Sequence, residues 1–163
     1  MEVIISSRHT DAKRNVKLYK YLIYYRLMPI LGLNFDSIHA EKKKELKPPL
    51  KINTDVEIVS INKEESFFSN KDEAVLRFNF EFSLIFDPKD VAELKLKGHI
   101  HFLAKAKDND KVLATWKKDK KLPPELARQL VNMILLKANI KALLVGQEVG
   151  LPPHIRMPLI NKA

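Results

Sequence analysis

The chain has 163 residues, with 29 Lys/Arg against 20 Asp/Glu for a formal charge of +9, and it has no cysteine. That length fits one domain able to bury a core without metal or disulfide staples. The missing cysteines exclude thiolate catalysis, Cys-zinc sites and disulfides, and agree with a reducing, cytoplasmic setting.

The positive charge favours solubility and encounters with polyanions, and is silent about fold. Four glycines and no cysteine, beside abundant Lys and Glu, point to a thermophile composition. The opening "MEVIISSRHT" lacks the charged and apolar regions of a signal peptide. The stretch "YLIYYRLMPILGL" is interrupted by Arg26 and Pro29 and falls short of the ~20 apolar residues a span needs, so no membrane insertion is expected.

Thr10 and Asp11 offer N-cap chemistry before "AKRNVKLYKYLIYYRLM". Leu18, Tyr21, Leu22, Tyr25 and Met28 recur at helical spacing, which predicts an N-terminal amphipathic helix stopped by Pro29 and Gly32. "LNFDSIHAEKKKEL" reads as a first strand entering a charged turn closed by Pro48 and Pro49. In "LKINTDVEIVSINK" the apolar parity switches between Ile58 and Val59, as one bulge would make it do.

"AVLRFNFEFSLIF" and "AELKLKGHIHFLA" alternate apolar and polar residues over their length, the period of strands with one buried face. Asp87 and Pro88 between them mark the turn of an antiparallel hairpin. Two helices follow. "DNDKVLATWKKDKK" is short and polar, with Asp108 or Asp110 as its cap, and "LPPELARQLVNMILLKANIKALLVGQ" starts at Pro124 and stops at Gly146. Leu126, Leu130, Ile134 and Ala138 mark the stripe against the sheet. From 133 to 145 the helix is apolar on nearly every side. It is therefore expected to be covered twice, by its sheet and by another segment or subunit.

The sequence holds no GxGxxG, P-loop, GxSxG or HExxH, so no enzyme activity and no cofactor is expected. His99 and His101 share a strand face, but Lys95 and Lys97 on that face repel a cation, so no metal is expected. Arg77, Lys95, Lys97, His99, His101 and Lys105 form a basic stripe, which gives a second reading as an accessory protein on RNA or the ribosome. The stripe lacks interleaved aromatics for base stacking. A small-ligand pocket in the sheet is a third reading, without polar anchors to support it. Phe67, Phe68, Trp116, Ile155 and Met157 stand outside the clean patterns, and together they suggest an apolar groove accepting an extended peptide.

The order of "FDSIHAEKK", "LKINTDVEIVSINK", the hairpin, the Pro-started helix and "LPPHIRMPLI" resembles the SecB export-chaperone superfamily over roughly residues 33–160, nearest its SecB-like prokaryotic members. The resemblance implies an α+β fold: a four-stranded antiparallel sheet with a long C-terminal helix packed on it, here preceded by the N-terminal helix. It implies a homo-oligomer, dimer or tetramer, holding unfolded or extended polypeptide in apolar grooves. In this reading residues 1–32 are a helical extension, 33–105 the sheet, 108–146 the helices and 147–163 a Pro-rich extended tail. Phe67, Phe68, Trp116, Ile155 and Met157 then line the groove. Met133, Leu136, Ile140 and Leu143 form the contact between subunits, and the tail lies over the junction of sheet and helix.

Overall fold

A computed structural model describes residues 30–64 and 72–156. The expected helix at 11–28, together with Phe67, Phe68 and Met157, lies outside the described residues. Four strands, β1 (Ile30–Lys42), β2 (Lys51–Glu64), β3 (Glu73–Asp87) and β4 (Ala92–Lys105), form one antiparallel sheet in the order β1-β4-β3-β2. Helices α1 (Ala106–Asp119) and α2 (Pro124–Glu148) follow. This is the α+β architecture expected, except that β1 starts at Ile30, inside the stretch assigned to the helical extension.

The β3–β4 hairpin is the centre of the core. Phe78, Phe80 and Phe82 face Ile100, Gly98 and Leu96 across the pair, and all six are buried. Each buried phenylalanine contributes on the order of 1.5–3 kcal/mol before entropy. β1 and β2 lie on opposite edges, so the connector 43–50 crosses the hairpin's turn end. There the backbone amides of Lys43 and Lys44 donate to the Val91 carbonyl.

The parity switch in β2 is a bulge: Ile58 pairs with Phe80 and Ser60 with Asn79, leaving Val59 53% exposed. β1 has two further irregularities, one between Ile30 and Gly32 and one where Phe35 pairs with Gly98 and Ser37 with Lys97, so Asp36 has no partner in the register.

α1 begins at Ala106, not at an Asp cap. Its N-cap Lys105 makes no side-chain cap bond, and the Ala106 amide donates to the Asp72 carbonyl instead. Asp108 therefore lies in the first turn. Buried Asn109 pins the helix by donating from Nδ2 to the carbonyls of Ala74 (2.7 Å) and Ala104 (3.3 Å).

α2 buries Leu126, Leu130, Ile134, Ala138, Ala142 and Gly146, one side chain every four residues. The ridge tapers from leucine to glycine toward the C-terminal end of the helix. A Cβ on Gly146 would lie 3.7 Å from Leu94 and 3.6 Å from Leu151. Those are ordinary van der Waals distances, so packing does not demand a glycine there, and Gly146 is not the expected stop either. The helix continues to Glu148 and ends in a Schellman turn: Leu151 N–H donates to Gly146 O (2.8 Å), Gly150 N–H donates to Gln147 O (3.1 Å), and Gly150 takes φ +70°.

Candidate apolar groove

Where α2 ends, the connector 43–50 and the residues after the helix enclose apolar space. One cavity of about 790 Å³ is lined by Leu46, Pro48, Leu50 and Ile52 on one side and by Leu151, Pro152 and Pro153 on the other. A second, of about 360 Å³, lies between Leu84 and Leu94 of the sheet, Leu143 of α2 and the same prolines. Residues 151–153 form the wall between them. Prolines in that wall offer no N–H, so an extended chain there gains from side-chain burial more than from strand pairing.

The wall is held at two points. Leu151 is buried beside Gly146. His154 places Nε2 3.0 Å from Asn139 Oδ1 and stands edge-on to Phe82, with ring centroids 6.4 Å apart. Burial holds the His154 imidazole below the usual histidine range.

Of the sequence-derived groove residues, Trp116 and Ile155 are among the described residues, and they stand apart. Ile155 follows this wall, at the end of the sheet where β3 stops, and is 39% exposed. Trp116 packs against the core from α1, which is anchored at the end where β3 begins, with Lys120 Nζ 5.4 Å from its ring centre. The cavity-lining Leu46, Leu50 and Leu143 were not in the sequence-derived set for the groove. Leu46 and Leu50 carried one signal, as leucines flanking Pro48 and Pro49 in an otherwise charged turn.

On α2, Leu136 is 63% exposed and Ile140 55%, on the side facing away from the sheet, with Leu144 (56%) continuing the row. Met133 and Leu143 are half-buried, and 100° per residue puts them on opposite flanks of the buried ridge. Among the described residues nothing covers the outer row. By length and composition α2 could cross a bilayer, but one of its faces is packed on the sheet.

The other face of the sheet is polar and internally neutralised. Asp36 Oδ2 lies 2.8 Å from His99 Nδ1 and pairs with Arg77 (3.3 Å), while Glu64 pairs with Arg77 (3.3 Å) and His101 (2.9 Å). The His99 contact, then burial and the charge of Arg77 acting in opposite senses, leave the Asp36 carboxyl below its usual range. Lys97 pairs with Glu81, and Lys95 with Glu93. The basic stripe read from sequence is thus interleaved with carboxylates, a poor track for phosphates.

His39, Glu41 and Glu93 place ligand atoms within 4.8 Å of one another. Lys43 and Lys95 already hold Glu93 at 2.7 and 2.9 Å, and a cation would have to displace both.

No protein-family model and no curated protein sequence matches the chain. A solved structure does: the SecB-like chaperone Rv1957 of Mycobacterium tuberculosis, in complex with a ChAD peptide from the HigA1 antitoxin Rv1956. The two share 12% identity and superpose with a TM-score of 0.51 over 83% of this chain and 92% of that one. The likeness is one of fold: this chain has the SecB-like arrangement of four antiparallel strands and a C-terminal helix.

Proposed function

We propose that the protein is a non-enzymatic, chaperone-like binder of unfolded or extended polypeptide, which it takes into the apolar space beside the C-terminal end of α2. The observation that carries this reading is the pair of cavities walled by Leu46, Leu50, Leu143, Leu151 and the prolines. Their lining is mainly apolar, with Lys42, Lys47, Gln147 and His154 as its polar members. The fold is that of a chaperone whose structure holds an antitoxin peptide, which agrees with a polypeptide client. In the same reading Leu136, Ile140 and Leu144 form a contact between copies, with Met133 and Leu143 at its margins, and the protein works in the cytoplasm.

The test is light scattering from a chemically denatured client diluted into buffer with and without the protein, at low and moderate salt. Apolar burial is weakly screened, so suppression of aggregation is expected to persist as salt rises. Absence of suppression, together with RNA binding that falls steeply with salt, would replace this reading with the nucleic-acid one.

A further inference from the structure

The apolar space beside α2 is one-sided in charge. No Asp or Glu lines either cavity, whereas Lys42 and Lys47, both exposed, line the larger one. They belong to the stretch "KKKELKPPLK" at 42–51, which carries five lysines against one glutamate.

Lys42 is set apart by its face. It pairs with Ala92 at the end of β1, and Ala92 is part of the core, so Lys42 belongs to the side of the sheet that α2 covers. Glu41, opposite Glu93, belongs to the polar side. There Lys95 is held by Glu93 and Lys97 by Glu81, and Lys43 also reaches Glu93. Lys42 and Lys47 have no ion-pair partner among the described residues. A lysine suits the edge of an apolar space, because its stem lies on apolar surface while the ammonium stays in water. Lysines also suit a helix C-terminus, but the Gly146 and Gln147 carbonyls there already accept the amides of Leu151 and Gly150.

We propose that the larger cavity takes extended polypeptide in which apolar residues are flanked by Asp or Glu. The apolar side chains enter between Leu46, Leu50 and Leu151, and the carboxylates meet Lys42 and Lys47 at the rim. This rests on the polypeptide-binding function proposed above and adds the chemistry of the client to it. Basic flanks are disfavoured, since no carboxylate of the lining would offset them. Nucleic acid is a poorer occupant, because this cavity has no aromatic side chain on which a base could stack.

The test is fluorescence anisotropy of the full chain with three peptides, labelled at the N-terminus and amidated at the C-terminus so that no terminal charge remains. They share one apolar segment and carry two Glu, two Gln or two Lys at its flanks. At low salt the Glu peptide is expected to bind about fivefold more tightly than the Gln peptide, the yield of two exposed ion pairs, and the Lys peptide more weakly than either. The margin should narrow as salt rises while the Gln peptide's affinity holds. In the double variant Lys42→Gln, Lys47→Gln the margin should vanish with the Gln peptide bound as before. The variant Lys117→Gln, Lys118→Gln removes the same charge from exposed positions in the last turn of α1, and should keep the margin.

Equal affinities for the Glu and Gln peptides, or a margin that follows net charge in both variants alike, would overturn the proposal and leave polypeptide binding standing. A lower unfolding midpoint in Lys42→Gln, Lys47→Gln with the margin intact would assign these lysines to the end of α2 instead. Displacement of the Glu peptide by equimolar single-stranded RNA would also overturn the proposal. Binding of no peptide would overturn it together with the polypeptide-binding function.

Discussion

Asp36 Oδ2 lies 2.8 Å from His99 Nδ1, and it does so because the irregularity in β1 drops Asp36 out of the pairing register and turns its carboxylate onto the polar face. Arg77 Nη2, a donor only, lies 3.0 Å from the same Nδ1, so that nitrogen either donates to the carboxylate or accepts from the guanidinium, according to its tautomer. Arg77 also reaches Asp36 Oδ2 and Glu64, while Asn79 accepts from Arg77 Nε (2.9 Å) and donates to Ser60 (2.8 Å). One connected set of polar groups therefore ties all four strands from the side opposite α2.

Acid should dissolve part of that lattice. Asp36 is held below its usual range, and Glu93 is pulled down to about 2 by Lys43 and Lys95. Both carboxyls are more acidic folded than unfolded, so their stabilisation is complete above the unfolded carboxylate range and is lost as pH falls through the folded values. The expected result is a urea midpoint that drops between about pH 4.5 and 2, with a shallower drop in Glu93→Gln and Asp36→Asn. The same drop in both variants as in the parent would contradict the assignment.

Gly98 admits no side chain. A Cβ there would sit 2.3 Å from the Asn34 carbonyl oxygen and 2.8 Å from the Phe80 ring, whereas one at Gly32 meets nothing within 4 Å. Gly98→Ala should cost about 3 kcal/mol or more, because backbone of β1 must move. Gly32→Ala should stay within about 1 kcal/mol of the parent. Equal unfolding midpoints for the two variants would refute the close approach.

Half-buried His154 prefers to be neutral, so its pKa is depressed by folding. The unfolded chain then binds the proton more readily, and the clamp on Asn139 and Phe82 weakens as pH falls below about 6.5. Intrinsic amide exchange slows on acidification, so the readout is the protection factor of the Leu151 amide, bonded to Gly146 O; it should fall as pH is lowered, and His154→Gln should remove that fall. A protection factor that stays constant would show the clamp does not depend on the imidazole.

Leu136→Glu and Ile140→Glu change side chains already more than half exposed, so each should leave the unfolding free energy of a single chain within about 0.5 kcal/mol. If copies meet through this row, light scattering should show a smaller mass for either variant than for the parent. Identical masses would remove the contact from the proposed function.

Much of the fold was legible because period two is hard to imitate: the alternation across Phe78, Phe80, Phe82 and Leu94, Leu96 leaves one arrangement with a dry face. The bulge at Val59 announced itself through parity. The one at Asp36 left the same signature, since Leu33 and Phe35 face the core on odd numbers and Ile38 and Ala40 on even ones, yet it was missed. Strand order was not legible. Nothing in the periodicity of β1 says that it pairs with β4 and leaves β2 on the far edge.

The groove was less legible than the core, for a physical reason. Its walls come from Leu46 and Leu50 of the connector, Leu143 of α2 and Leu151 of the tail, which meet only after the crossover folds under the hairpin turn. No local pattern marks them as neighbours. The stop of α2 was misplaced because two glycines lie within five residues, and Gly150, not Gly146, takes the left-handed φ that ends the helix.

The central claim is that an apolar space beside α2 holds extended polypeptide, and fluorescence anisotropy of a labelled unfolded polypeptide tests it most directly. The account predicts saturable binding that changes little with salt and is lost in Leu143→Asp while the variant keeps the parent's fold by circular dichroism. Binding that is absent, or is undiminished in folded Leu143→Asp, would contradict it.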